Sequence, residues 1–402
     1  MATATTLPAA SRNLTVPRRR RKDPTPSLFP YVPEHRDTGP DALSPPGPEP
    51  ERVGIARLAA SSPCADAKRG TEYYLLPVRS ILNHCDSDRV PFSWTVNPYR
   101  GCEFGCQYCY ARYTHEYMEL ETSDFERKIY VKQNAGPLAG RDLATEKIQG
   151  EHIAIGTATD PYQPAEREFG ATRAILEQMA ARRGLSVSIT TKSNQVLRDL
   201  DLLRQIAAHS ALHVNLSITT LRPRLARLLE PRAPCPDLRL DAVRELRRAG
   251  IAAGVFAMPV LPGITDGEAD LNALARAARD VGAQWFAASV LFLMPSSQKQ
   301  FLPFLDAKFP KLVRRYRDWF SRSGYAPEAY RREIAARVGA LRRKYGLGDR
   351  PVEQARPYEG PQQLAFGSNF SPQGATALVT SQACAAQSPR RNGMLGIGFM
   401  EG

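Results

Sequence analysis

Six short apolar runs recur through the middle of the chain: "SWTVN" at 93–97, "HIAIGT" at 152–157, "SVSITTK" at 186–192, "LHVNLSI" at 212–218, "AAGVFAMPV" at 252–260 and "WFAASVLFL" at 285–293. They are rich in β-branched and aromatic residues and nearly continuous in apolarity, as expected of strands covered on both faces. Between them the pattern changes to a helical period, as in "REFGATRAILEQMAARRG" (167–184), "DLRLDAVRELRRAG" (237–250) and "DGEADLNALARAARDVG" (266–282). Gly184, Gly250 and Gly282 stand where a left-handed residue closes a helix. Strand and helix in alternation predict a parallel sheet with right-handed crossovers. Six units are too few for a closed eight-stranded barrel, so the expected fold is α/β with an open or partial barrel.

In such sheets the chemistry lies at the carboxyl ends of the strands. The residues that follow each run should therefore line one mouth. These are Cys102, Cys106 and Cys109 after the first run and residues 157–166 after the second. "TKS" (191–193) follows the third run. Ser217 and Thr219 close the fourth, and "PVLPG" (259–263) the fifth.

Composition divides the rest of the chain. Residues 1–70 are crowded with Pro, Arg, Ala and Ser and offer little apolar surface to offset their ordering entropy. They are predicted to be a disordered arm with polyproline character. Residues 353–402 are predicted to be a mostly irregular tail. The core then spans 71–300, and a basic helical extension spans 301–352. Within that extension, residues 311–346 read as two basic amphipathic helices. Their aromatics Tyr316, Trp319, Phe320, Tyr325, Tyr330 and Tyr345 are expected to pack over the barrel rather than stack bases.

Charge adds a question about partners. The chain carries a net +13, and residues 308–350 hold thirteen Lys/Arg against four Asp/Glu, a net +9. "RRRRK" at 18–22 is a second basic cluster. Basic segments attract polyanions, nucleic acid included, and they also describe a solvated helix face. No run approaches eighteen apolar residues, so no membrane partner is expected. The first twenty residues lack the apolar block of a secretory signal. Seven cysteines in 402 residues are too sparse for a disulfide scaffold, so reduced thiols and a cytoplasmic setting are expected.

Three of those cysteines are not scattered. "GCEFGCQYCY" places Cys102, Cys106 and Cys109 within eight positions. A structural zinc site needs a fourth ligand; His115 is the nearest candidate, and His84 and Cys85 are more distant. A zinc-stabilised nucleic-acid-binding protein is thus one reading. An iron–sulfur cubane is ordinarily held by four thiolates. Three would leave one iron open to a substrate chelate.

The spacing Cys-x3-Cys-x2-Cys, with aromatic Tyr108 before the last cysteine, resembles the signature of the radical S-adenosylmethionine (SAM) superfamily. Residues 92–295 are similar to its spore photoproduct lyase-like group in "NPYRGCEFGCQYCYAR", "TDPYQPAE", "ITTKS", "NLSITT", "LLEPRAP" and "PVLPGITD". The resemblance implies a partial (βα)6 TIM-like barrel and a [4Fe–4S] cluster on Cys102, Cys106 and Cys109. It implies that SAM is chelated at the open iron and cleaved reductively to a 5′-deoxyadenosyl radical that abstracts hydrogen from substrate. A one-electron reductant, flavodoxin- or ferredoxin-like, would supply the electron. Tyr108 would lie near the adenine and Lys192 would meet the SAM carboxylate. Ser217 would contact ribose or carboxylate, and Thr159 and Asp160 would face SAM or substrate. One position departs from the lyase. The cysteine that returns a hydrogen atom there falls near Thr157 here, and a threonine O–H is too strong a bond to replace a thiol. This argues against lyase-type DNA repair and leaves the substrate, nucleic acid or other, open.

Overall fold

The six apolar runs are strands of one sheet, in the order and sense expected. In chain order the strands are β1 (Cys64–Lys68), β2 (Thr71–Leu76), β3 (Leu82–His84), β4 (Trp94–Val96), β5 (Tyr99–Arg100) and β6 (Lys128–Lys132). They continue as β7 (His152–Ile155), β8 (Ser186–Thr191), β9 (Ala211–Ser217), β10 (Ala252–Val260) and β11 (Phe286–Val290). The computed structural model describes residues 52–68, 70–86 and 90–351, all of which belong to one compact unit. The larger sheet runs β11-β10-β9-β8-β7-β4-β3. Its six βα strands are parallel, and only β3, at the edge, is antiparallel to its neighbour. This is a partial (βα)6 barrel. Helices Ala171–Ala180, Leu200–His209, Pro236–Arg248 and Glu268–Asp280 alternate with the strands. Ile155, Ile189, Val214, Leu216 and Val255 are fully buried between sheet and helices. Gly184, Gly250 and Gly282 have the left-handed φ values their helix ends require, +72°, +80° and +77°.

A second, four-stranded sheet, β1-β2-β6-β5, was not expected from the sequence. Its strands are short and carry polar residues on their outer positions, as in "CADAK". Its inner pair, β2 and β6, is parallel and joins residues more than fifty positions apart. It also corrects the expected arm. Residues 54–68 are not irregular: they form the helix Gly54–Ser61 and strand β1. Ala59 of that helix packs with Leu76, Met118 and Tyr130 in a small core of its own. The partners of this helix lie far along the chain, so its composition alone did not reveal them. The rest of the arm (1–51), with its RRRRK cluster, and the tail from 352 onward lie outside the described residues.

The basic extension contains the helices Val313–Phe320 and Glu328–Tyr345, and the helix Pro295–Lys308 runs across its expected start at 301. Its aromatics face inward. Tyr316 and Phe320 are buried, and Trp319 packs against Tyr330. The hydroxyls of Tyr316, Tyr330 and Tyr345 donate to Pro262 O, Asp266 Oδ2 and Asn272 Oδ1 at 2.9, 2.7 and 2.9 Å. Among the described residues, no helix is long and apolar enough to cross a membrane.

Candidate functional site

The loop that carries the three cysteines leaves β5 through Gly101, at φ +84°. A Cβ there would lie 2.8 Å from the Lys128 carbonyl oxygen and 2.9 Å from that of Phe125, so only glycine admits this close approach. From that point the loop is held on several sides. Cys102 N donates to Phe125 O at 3.0 Å, and Gln107 N to Leu229 O at 2.9 Å. Thr159 Oγ1 and Gln163 Nε2 both donate to Gly101 O, at 2.6 and 3.2 Å. Ser297 Oγ donates to Cys109 O at 2.8 Å. The backbone of the loop is thus fixed by the segment after β7, by the helix ending at Leu229 and by the helix beginning at Pro295.

The loop opens onto a cavity of about 390 Å³ at the carboxyl ends of the barrel strands. All eight residues singled out from the sequence line it: Cys102, Cys106, Cys109, Tyr108, Thr159, Asp160, Lys192 and Ser217. The three thiols are free. Burial pushes all three upward, Cys106 to about 12, so deprotonation there needs a positive charge brought into the cavity.

The polar residues of this wall differ in how far they are already engaged. Asp160 accepts from Thr191 Oγ1 (2.6 Å), Tyr162 N (2.9 Å) and Lys192 N (2.7 Å) and so ties the β7 and β8 exits together. Thr159 is likewise engaged, donating to Gly101 and accepting from Gln163 Nε2 at 2.9 Å. Both line the cavity, but their polar atoms serve the frame. Lys192 and Ser217 are different. Among the described residues neither side chain has a hydrogen bond or ion pair. The Lys192 ammonium sits 5.9 Å from the centroid of the Tyr108 ring. Burial disfavours its charge, but Cys106, Glu230 and Asp160 outweigh that and leave its pKa above the usual lysine value, Arg239 opposing them.

Behind Tyr108 lies a network that sequence reasoning missed. The Tyr108 hydroxyl meets Glu230 and also Thr219 Oγ1, the latter at 2.9 Å. Glu230 pairs with Arg239 at 2.5 Å, and both are almost wholly buried. Burial would raise the Glu230 carboxyl, but Arg239 and Lys192 bring it below the usual range. Arg239 also donates to Ser217 O at 3.0 Å and Pro234 O at 2.8 Å. The only signal in the sequence was the segment "LLEPRAP", in which Glu230 carried no assigned role.

The donors proposed for a zinc ion do not assemble. His115 is buried, with Nε2 at 3.0 Å from Lys128 O and its ring against Phe125. His84 pairs with Asp86 at 2.6 Å. A single zinc ion needs four donors within about 2.0–2.3 Å of one point. Among the described residues, no three His, Cys, Asp or Glu side chains converge in that way. A cubane spreads its thiolates around a larger body, so three thiols on one wall suit it better than they suit an ion.

Comparison with known proteins agrees with this geometry. A family model of the Radical SAM superfamily matches residues 96–275. An uncharacterised protein of Mycobacterium tuberculosis is 34% identical over 299 residues, covering 74% of this chain and 86% of that protein. An uncharacterised protein of Methanocaldococcus jannaschii is 33% identical over 175 residues, covering 44% of this chain and 63% of that one. Solved structures of spore photoproduct lyase share the fold. With dinucleoside spore photoproduct the TM-score is 0.53 at 17% identity, covering 68% of this chain and 79% of the lyase. With bound AdoMet and dinucleoside spore photoproduct it is 0.52 at 16% identity, covering 76% and 85%.

Proposed function

The chain belongs to the radical SAM superfamily, and we propose that its barrel cavity runs a hydrogen abstraction on a substrate held beside Thr157. Enzymes of this superfamily use a [4Fe–4S] cluster and SAM. In this chain Cys102, Cys106 and Cys109 would hold the cluster. When bound, the cluster and SAM together supply a carbon-centred radical able to take a hydrogen atom from substrate. The protein's own part is to bind, orient and exclude water. Lys192 and Ser217 line the wall with no hydrogen bond or ion pair from their side chains among the described residues, and they would receive the carboxylate and a hydroxyl of SAM. Tyr108, held from behind by Glu230 and Thr219, would present its ring to the adenine. Thr159 and Asp160 would act one step back, fixing the loop and the Lys192 backbone. A small one-electron carrier, flavodoxin- or ferredoxin-like, would deliver the electron.

The observation that carries this reading is the meeting of three free thiols and one unpaired ammonium in a single buried cavity. The test is anaerobic reconstitution followed by iron and sulfide analysis. SAM and dithionite are then added and 5′-deoxyadenosine is measured. About four irons per chain and 5′-deoxyadenosine formation are expected. A colourless protein that takes up no iron sinks the reading. The hydrogen-returning thiol of the lyase has no counterpart at Thr157, so the reaction should not follow that route. Thr157 Oγ1 accepts from Asn97 Nδ2 at 3.0 Å, and its carbonyl accepts from Tyr110.

A further inference from the structure

A second cavity of about 510 Å³ adjoins the first, and the two share Val90, Phe92, Tyr110, Thr157 and Phe292 in their walls. It is large enough for a small-molecule ligand or a single nucleotide. Part of its wall is the small sheet. There the β5–β6 register sets Arg100 opposite Tyr130, so Arg100 and Lys132 share one face of the sheet on a cross-strand diagonal. Lys132 is only 6% exposed. Among the described residues neither side chain has a hydrogen bond or ion pair, and Arg100 Nε is buried without a partner. No aspartate or glutamate is among the described residues that line the cavity. The acid that acts on Lys132 is Asp142, which is already taken by Ser80 Oγ (2.7 Å), Ile81 N (2.8 Å) and Arg141. Burial and the neighbouring Arg100 charge push Lys132 down to about 7.

Setting the buried Lys132 beside the half-buried Arg100, with no counterion among the described residues, costs stability. A fold keeps such a pair when an anion completes it. Six aromatic side chains, Phe92, Tyr110, Tyr113, Tyr117, Phe292 and Tyr325, also line it, together with polar ones such as Asn83, Thr95 and Asn97. Phe292 packs against Tyr325 with ring centroids 4.5 Å apart. Aromatic side chains in the same wall as two basic groups suit a planar ring that carries a phosphate.

We propose that this second cavity is the substrate chamber and that Arg100 and Lys132 bind a phosphate ester attached to an aromatic base, so that the substrate is a nucleotide or a nucleotide unit of a longer strand. This deepens the radical SAM reading and rests on it, because the shared wall at Thr157 and Tyr110 would bring the base to the site of hydrogen abstraction.

The test is binding to the reconstituted full chain with SAM present. The probes are the four 5′-nucleoside monophosphates, the matching nucleosides, dinucleoside monophosphates and benzoate. At least one phosphate-bearing probe should bind about 10- to 100-fold more tightly than its nucleoside. A preference for the monophosphate would mark a terminal phosphate, and one for the dinucleoside an internal diester. In Arg100→Gln and Lys132→Met that preference should vanish, with iron content unchanged and the melting temperature equal or higher. Equal binding of nucleotides and nucleosides, or benzoate matching the phosphates, would overturn the proposal. So would variants that keep the preference, or variants that melt well below the wild type, which would make the cations structural. Wild-type 5′-deoxyadenosine formation is scored separately. Cleavage of SAM without phosphate preference overturns only this inference. Phosphate preference without cleavage overturns only the radical SAM reading.

Discussion

The two adjoining cavities are built on opposite electrostatic plans. In the first, almost every charge is matched inside the protein: Glu230 faces Arg239, and Asp160 is spent on three donors. Among the described residues, Lys192 is left without a hydrogen bond or ion pair. In the second, Arg100 and Lys132 share a strand pair with no acid among the described residues of the wall. A pocket for a cofactor of fixed structure can be balanced in advance, with one group held back for the incoming carboxylate. A pocket whose charge arrives with the substrate stays unbalanced until then. The first arrangement spends its polar groups on precision, and the second gives up stability for recognition.

The comparison can be broken most severely at the thiols. Cys106→Ala should reduce cluster iron and 5′-deoxyadenosine to background, read by metal analysis and chromatography. Nucleotide preference in the second cavity should survive, because its cations sit on a different sheet. The next effect separates the two plans by stability. Glu230→Gln leaves Arg239 buried without its partner and should lower the unfolding free energy by about 3–5 kcal/mol. Chemical denaturation would show this, and Lys132→Met in the same assay should cost nothing. If the two variants behave alike, the contrast between the cavities fails. Smaller again is Lys192→Met, which removes a cation of the first cavity that has no hydrogen bond or ion pair among the described residues. SAM affinity, measured by equilibrium dialysis, should fall about 10- to 100-fold while the melting temperature holds. The smallest expected change is Thr159→Val. It loses the bond to Gly101 and should cost about 1 kcal/mol, seen as a modest drop in melting temperature.

The first cavity was largely legible in the chain and the second was not. Strands covered on both faces announce themselves by continuous apolarity, and the residues at their ends follow from counting. Cys102 to Cys109 are local in sequence, so their spacing carried its chemistry openly. Glu230 and Arg239 were hidden because their meaning depends on Tyr108, more than a hundred residues earlier. Arg100 and Lys132 were hidden by register. Each is an unremarked basic residue until the β5–β6 pairing sets both on one face, and a one-residue slip would part them. Thr159 and Asp160 show the converse. Their position at the mouth was readable, but the bonds that engage them appear only when neighbouring loops are in place.

The bond from Ser297 to Cys109 spans 188 residues. On a ribosome adding ~5–20 residues per second, the three thiols are synthesised roughly 10–40 s before that donor. During that interval the nascent loop has neither its Ser297 tether nor the barrel wall that buries it. Iron and sulfide delivered then would meet exposed, incompletely placed thiols. If these thiols hold the cluster, its insertion is expected after translation, as a loading step on a finished barrel.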